Sequence, residues 1–227
     1  MKKRNLIRAL AALLCLCALA LCSCGEKYYF ALDEEGNFVD EKSGVTYNIA
    51  PLCYEAISVS SEIFATQGKV DFFAITGTDT SRWLSDSFGI VYYAKGTKLP
   101  TLKEMNVSHV DIFENDELVD KVSDPEKINE LKALYENGKE SAYPGAAGLT
   151  PNVNLRLKFA DADHGIYYVL AYLEYPQEYV YKNENGKTVN CGKKFIYNRG
   201  EICLAVDGLP TGVYGSVGTS GTDSSNG

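Results

Sequence analysis

Between Val153 and Phe159 the side chains alternate. Val153, Leu155, Leu157 and Phe159 fall on one side of an extended chain, and Asn154, Arg156 and Lys158 fall on the other. Successive strand residues point to opposite faces, so this pattern specifies a half-buried strand with one wet face. It runs into Asp161-Ala162-Asp163-His164-Gly165, a cluster whose Asp and Gly residues suit a tight turn, and then into a second apolar run over 166–175. The spacing predicts a β-hairpin. Short aromatic and β-branched runs of the same kind recur at 28–32, 45–49, 54–60, 70–75, 89–94, 107–114, 178–182, 194–198 and 201–206. Turn clusters such as Asp33-Glu34-Glu35-Gly36-Asn37 and Asn183-Glu184-Asn185-Gly186 separate them.

One segment breaks the period of two. In 125–137, Ile128, Leu131, Leu134 and Tyr135 form a stripe at helical spacing, preceded by Ser123-Asp124-Pro125-Glu126 and followed by Gly138. A capping residue, a proline in the first turn and a glycine stop predict an amphipathic helix that lies on a sheet. A second, short helix is expected from Asp79 through Ser87, with Asp79 as N-cap and Trp83 and Leu84 facing inward. The fold class is therefore α+β and β-rich, a mainly antiparallel sheet with the 125–137 helix packed on it. The body spans 28–210, with a Pro/Gly-rich sub-boundary at 138–151. The Gly/Ser/Thr-dominated tail, 211–227, is expected to be disordered.

The first 23 residues differ in kind. Lys2, Lys3, Arg4 and Arg8 precede an uninterrupted apolar run from Ala9 to Cys22. That is the layout of a secretory signal peptide. Its end, Leu21-Cys22-Ser23-Cys24, resembles the lipobox of bacterial lipoproteins, with Leu at −3, a small residue at −1 and Cys at +1. The resemblance covers this targeting segment alone. It implies cleavage before Cys24, diacylglycerol on the Cys24 sulfur, and a domain anchored on the extracytoplasmic face of the cell membrane. Residues 24–27 leave a short tether. Three residues separate Cys24 from Tyr28, and they reach about 10 Å at full extension.

Composition narrows the partners. The chain has 22 Lys and Arg against 30 Asp and Glu, and loss of the four bases in the leader brings the net charge near −12. Such a surface repels nucleic acid and anionic headgroups, so nucleic acid is excluded as a partner and membrane attachment falls to the lipid. Of seven cysteines, Cys53, Cys191 and Cys203 remain in the exported body. Cys191 and Cys203 are the nearest pair for a disulfide, which that compartment permits. A hairpin turn at Arg199-Gly200 opposes Cys203 to Ile196 instead, and buried free thiols are the alternative.

Catalytic constellations are sparse. His109 and Asp111 share one face of the 107–114 strand, an arrangement that can orient a general base. Ser108 is expected on the opposite face, and the plainer reading is a strand with polar outward residues. Asp161, Asp163 and His164 are metal-ligand types held in one turn, as are the acids of 33–40, but both segments read as ordinary turns. No catalytic residue, cofactor site or metal site is assigned. Tyr167, Tyr168, Tyr172, Tyr175, Tyr179, Tyr181 and Tyr197 crowd the last strands. Such rings either pack a sheet or serve an interface, and adjacent Tyr167 and Tyr168 must face opposite sides. The sequence thus describes a membrane-anchored lipoprotein, a non-catalytic binding or accessory module for an envelope protein or glycan. The alternative is an envelope glycan or peptidoglycan hydrolase that uses a carboxylate pair.

Overall fold

A computed structural model of the chain describes residues 28–198 and 202–214. The leader, Cys24 and the tether lie outside those residues. The fold is β-rich, with antiparallel pairing in every ladder and one α-helix among the described residues. It holds a seven-stranded sheet, an eight-stranded sheet and a two-stranded ribbon rather than a single sheet.

The first sheet runs β1 (Ala31–Leu32), β2 (Phe38–Asp40), β3 (Val45–Ile49), β8 (Val91–Ala94), β7 (Trp83–Asp86), β6 (Val70–Ile75) and β5 (Val59–Gln67). Its two edges meet. Immediately before β1, Phe30 N–H donates to Thr66 O (3.0 Å), Thr66 N–H donates to Tyr28 O (2.8 Å), and Tyr29 bridges Thr66 in parallel. The segment 28–32 thereby bonds to β5 at one end and to β2 at the other, and the sheet closes into a small barrel. Closure removes free edges. Alternation sends Phe30, Phe38, Tyr47, Phe72, Leu84 and Tyr92 inward, where all are buried. The Phe72 ring lies 4.7 Å from Phe38 and 5.0 Å from both Phe30 and Tyr92. Such contacts add about 0.5–1.5 kcal/mol per pair beyond area burial.

The second sheet runs β10 (Glu117–Val122), β9 (Val107–Glu114), β12 (Val153–Asp161), β13 (Ile166–Glu174), β16 (Lys194–Asn198), β17 (Ile202–Ala205) and β11 (Lys139–Glu140). The anticipated 153–175 hairpin is its centre, paired from Val153↔Glu174 to Asp161↔Ile166. Helix α1 (Pro125–Asn137) buries Ile128 and Leu131 in the core made by Val110, Ile112, Leu155, Leu157, Phe159 and Leu170. Asp124 is its N-cap, accepting from Glu126 N–H at 2.8 Å, a cap worth about 1 kcal/mol. Gly138 ends the helix but is not a left-handed cap. Its backbone is extended (φ −61°, ψ 149°), and a Cβ there would meet Leu204 Cβ at 2.7 Å. Close packing against β17, rather than a special φ, asks for glycine.

Strand β4 (Tyr54–Ala56) joins the two sheets. It pairs with the start of β13, while Glu55 bridges Ile90 and Ala56 N–H donates to Gly89 O (3.0 Å) at the barrel rim. Trp83, Ile75 and Val91 point out of the barrel into the larger core.

This arrangement corrects the short helix expected at Asp79–Ser87. Asp79 does start a turn, its carboxylate accepting from Ser81 N–H (2.9 Å) and its carbonyl from Arg82 and Trp83. The chain then becomes β7, because Trp83 and Leu84 must bury on opposite sides. Helical spacing would put both on one side. The stretch 138–151, read as a Pro/Gly-rich sub-boundary, carries a strand and a ring contact. It supplies β11 to the second sheet, and Tyr143 stacks on Tyr197 at 4.4 Å. In the expected tail, Val213 is buried and Tyr214 donates from its hydroxyl to Glu114 (3.0 Å) and from its N–H to Asp120 (3.1 Å). That pair has apolar surface to hide, which the Gly/Ser/Thr composition around it masks.

Gly165 and Gly186 both occupy left-handed turn positions (φ +62° and +70°), but only Gly165 is crowded, with Thr76 O 2.8 Å from the site of a Cβ. Gly165→Ala is expected to cost about 2–4 kcal/mol in urea denaturation, through backbone strain plus overpacking. Gly186→Ala is expected to cost about 1 kcal/mol. Equal losses would contradict this packing.

Candidate functional site

The outward face of the second sheet carries a connected grouping of charged and aromatic side chains. Register places His109, Asp111 and Phe113 of β9 opposite Ala160, Lys158 and Arg156 of β12, and Tyr167 of β13 opposite both Ala160 and Glu55 of β4. All share the face turned away from α1. Lys158 ion-pairs with Glu55 although their side chains keep only 14% and 20% exposure. Its ammonium also lies 5.2 Å from the Phe113 ring centre and 5.4 Å from that of Tyr167. Arg156 covers Phe113 from 5.7 Å and pairs with exposed Asp116 at 3.1 Å. At such distances a cation is attracted to the ring face by about 0.5–2 kcal/mol.

Asp111 organises the neighbouring half. Its buried carboxylate accepts from Tyr167 OH at 2.8 Å, and His109 Nε2 lies 3.3 Å from the same oxygen. The other oxygen, Oδ1, has no hydrogen bond, and Lys121 Nζ at 3.3 Å answers it by charge alone. Burial, then the bond to Asp111, pushes the Tyr167 hydroxyl well above the usual phenol range. Tyr167 therefore stays a neutral donor. Ser108 differs from its expected place, since its hydroxyl lies 3.0 Å from His109 Nδ1 and donates to Ala160 O at 3.4 Å. The imidazole so connects a hydroxyl to a carboxylate. Acyl-transfer chemistry also needs a substrate cleft and oxyanion donors, and the larger grooves of the protein are lined by other residues. The face is an open platform of rings and fixed charges, suited to binding. Its members Glu55, Phe113 and Lys121 carry no local signal of that role in the sequence. Alternation marks Arg156 and Lys158 as outward, but only the β9–β12 register sets them over an aromatic ring.

In the hairpin turn, Asp161 accepts from Asp163 N–H (3.1 Å) and pairs with His164 Nδ1 at 2.7 Å, while His164 sits edge-on to Trp83. Those oxygens hold the turn against the barrel wall. Asp33 likewise caps its own turn, accepting from Asn37 and Glu35. The tyrosines divide by face. Tyr168 and Tyr172 enter the main core, Tyr167 joins the platform, and Tyr175, Tyr179, Tyr181 and Tyr197 form a third cluster with Cys203 and Cys191.

Cys191 and Cys203 are free thiols, and Cys53 is buried in the main core. Cys203 opposes Tyr197 in the ladder, one residue from the expected Ile196. Cys191 opens onto a groove of about 550 Å³ between the end of α1 and strands β11, β15 (Thr188–Asn190) and β17. A carboxylate-pair hydrolase calls for an acid whose pKa is raised. Among the described residues, Asp33, Asp79 and Glu104 are displaced the other way, downward, by hydrogen bonds. Comparison of the chain with known protein families, with curated proteins and with solved structures finds no match.

Burial, then the nearby Cys191, pushes the Cys203 thiol up to about 12. Iodoacetamide at pH 8 is expected to modify Cys191 in the native protein and to spare Cys203 until denaturant is added, read by peptide mass spectrometry. Cys203 modified first would contradict its burial. Burial also raises Tyr47 and Tyr175 to about 12 from an ordinary value of 10. These groups lend their full stability below their unfolded values, near pH 9 for the thiol and 10 for the phenols. That contribution is lost as pH rises to about 12. Tyrosinate absorbance should therefore appear together with unfolding across that window. Reversible ionisation of Tyr47 and Tyr175 near pH 10, with the fold intact, would refute the assignment.

Proposed function

We propose that the protein is an extracytoplasmic lipoprotein, held to the bacterial cell membrane through diacylglycerol on Cys24, whose β-rich body is a non-catalytic binding or accessory module of the envelope. The observation that carries this reading is the leader itself: a cationic start, an apolar run and Leu21-Cys22-Ser23-Cys24. The acidic body supports it, because a net charge near −12 cannot hold the protein on anionic lipid. One acyl chain anchors marginally, whereas two on a single cysteine anchor stably at about 0.8 kcal/mol per buried CH₂. The platform of Phe113, Tyr167, Arg156 and Lys158 supports the binding role, since it offers flat rings beside fixed charges without an enclosed cleft. An envelope protein or glycan is the partner such a surface fits.

Cells grown with an alkyne-tagged fatty acid test the reading. The wild-type protein should carry the tag and sediment with membranes. Cys24→Ala should lose the tag and accumulate as unprocessed precursor. A tag that persists on the variant would contradict the assignment.

A further inference from the structure

We infer that the rim of the barrel at which the chain enters, made by Tyr28, Tyr29, Phe64, Ile63 and Lys42, is a bilayer-contact surface that seats in the lipid headgroup layer. This rests on the proposed lipid anchor and adds which face of the domain meets the membrane.

The argument begins with reach. Three residues separate Cys24 from Tyr28, so the four Cα–Cα steps between them hold Tyr28 within about 14 Å of a lipidated Cys24. Tyr28 is not free to swing away from the barrel, since its carbonyl accepts from Thr66 N–H at 2.8 Å. A rim held that close to a bilayer needs a surface that tolerates it, and this one has the composition of a membrane interface. The Tyr29 ring is 59% exposed and the Ile63 side chain 53% exposed. Tyr28 packs edge-on to Phe64 at 6.1 Å and lies beneath the Lys42 ammonium at 4.4 Å. Tyr and Lys suit the headgroup layer because each combines an apolar body with a polar tip. The acids beside these residues are Asp40, Glu41, Glu62 and Asp71; Asp40 is buried and accepts from Lys42 N–H at 2.9 Å, and Asp71 is engaged by the Thr66 hydroxyl at 3.0 Å. The contact is therefore aromatic rather than electrostatic, in keeping with an acidic protein.

Strand direction supplies a built-in control. Lys42 lies in the β2–β3 turn, and β3 runs from that turn to Ile49, which pairs with Tyr92 near the start of β8. The β7–β8 turn therefore sits at the far rim. Its Phe88 is the most exposed large apolar side chain described, at 89%, on a turn pinned by Asp86, which accepts from Phe88 N–H (2.8 Å) and Ile90 N–H (3.0 Å). Exposure alone would send Phe88 into lipid, whereas the tether sends Tyr29.

The test uses the full-length lipoprotein, purified in detergent and reconstituted into phosphatidylethanolamine–phosphatidylglycerol vesicles, with and without lipid brominated near the headgroup end of the acyl chains. Trp83, the one native tryptophan, is 2% exposed and serves as the unquenched reference. Tyr29→Trp should float with vesicles and lose at least half of its added fluorescence to brominated lipid. Phe88→Trp should float equally and lose none. Floating protein with an unquenched Tyr29→Trp, or with quenching at Phe88→Trp as strong as at Tyr29→Trp, overturns the seating and leaves the anchor standing. Wild-type protein that fails to float and lacks acyl mass overturns the anchor and the seating with it.

Discussion

Two backbone hydrogen bonds set the shape of this protein: Phe30 N–H to Thr66 O and Thr66 N–H to Tyr28 O. They convert a curled seven-stranded sheet into a closed barrel and satisfy the groups that the β5 edge would otherwise expose. Closure is also what allows so small a barrel its core. Phe30 enters the interior only because the residues on either side of it are bonded to neighbouring strands, and its ring then contacts Tyr47, Phe64 and Phe72. The same bonds fix where the chain meets the barrel, at Tyr28, four residues after Cys24, so the stability device in the fold also bounds how far the barrel lies from that cysteine.

The second sheet depends on the barrel through β4. Three residues, Tyr54–Ala56, pair with β13 on one side and meet Ile90 on the other. Glu55 then reaches Lys158 across the platform. The pairing of Lys158 with Glu55 removes two charges largely from water, at a desolvation cost that such a pair roughly offsets rather than exceeds. Its consequence is positional. Lys158 is held over Phe113 and Tyr167, and Asp111 holds the Tyr167 hydroxyl, so the rings and charges of the platform are fixed in place before any partner arrives. Preorganisation of that kind lowers the ordering cost of binding.

Local pattern made much of this legible. Strands β3, β6, β9 and β16 coincide with the runs read at 45–49, 70–75, 107–114 and 194–198, since each is an aromatic or β-branched run set off by turn residues, and α1 coincides with the stripe at 125–137, whose period announces its buried face. What stayed hidden depends on partners distant in sequence. β7 was concealed because Asp79 opens a turn and because burial on both sides erases alternation. β10, β2 and β15 are short or polar and borrow their conformation from neighbours. The barrel's closure needs residue 29 to find residue 66, and the platform needs β9 beside β12. No local property of Phe113 or Lys158 reports that. The proposed lipid site is the converse case, read from a short linear motif that owes nothing to the fold.

Amide hydrogen exchange at Phe30 and Thr66 addresses the closure most directly. If 28–30 is the closing strand, both amides exchange as slowly as those of β6, and they open together with the barrel rather than ahead of it. Exchange at both positions near the rate of an unstructured peptide, while β6 amides stay protected, would mean that the sheet is open and that the chain reaches it by another route.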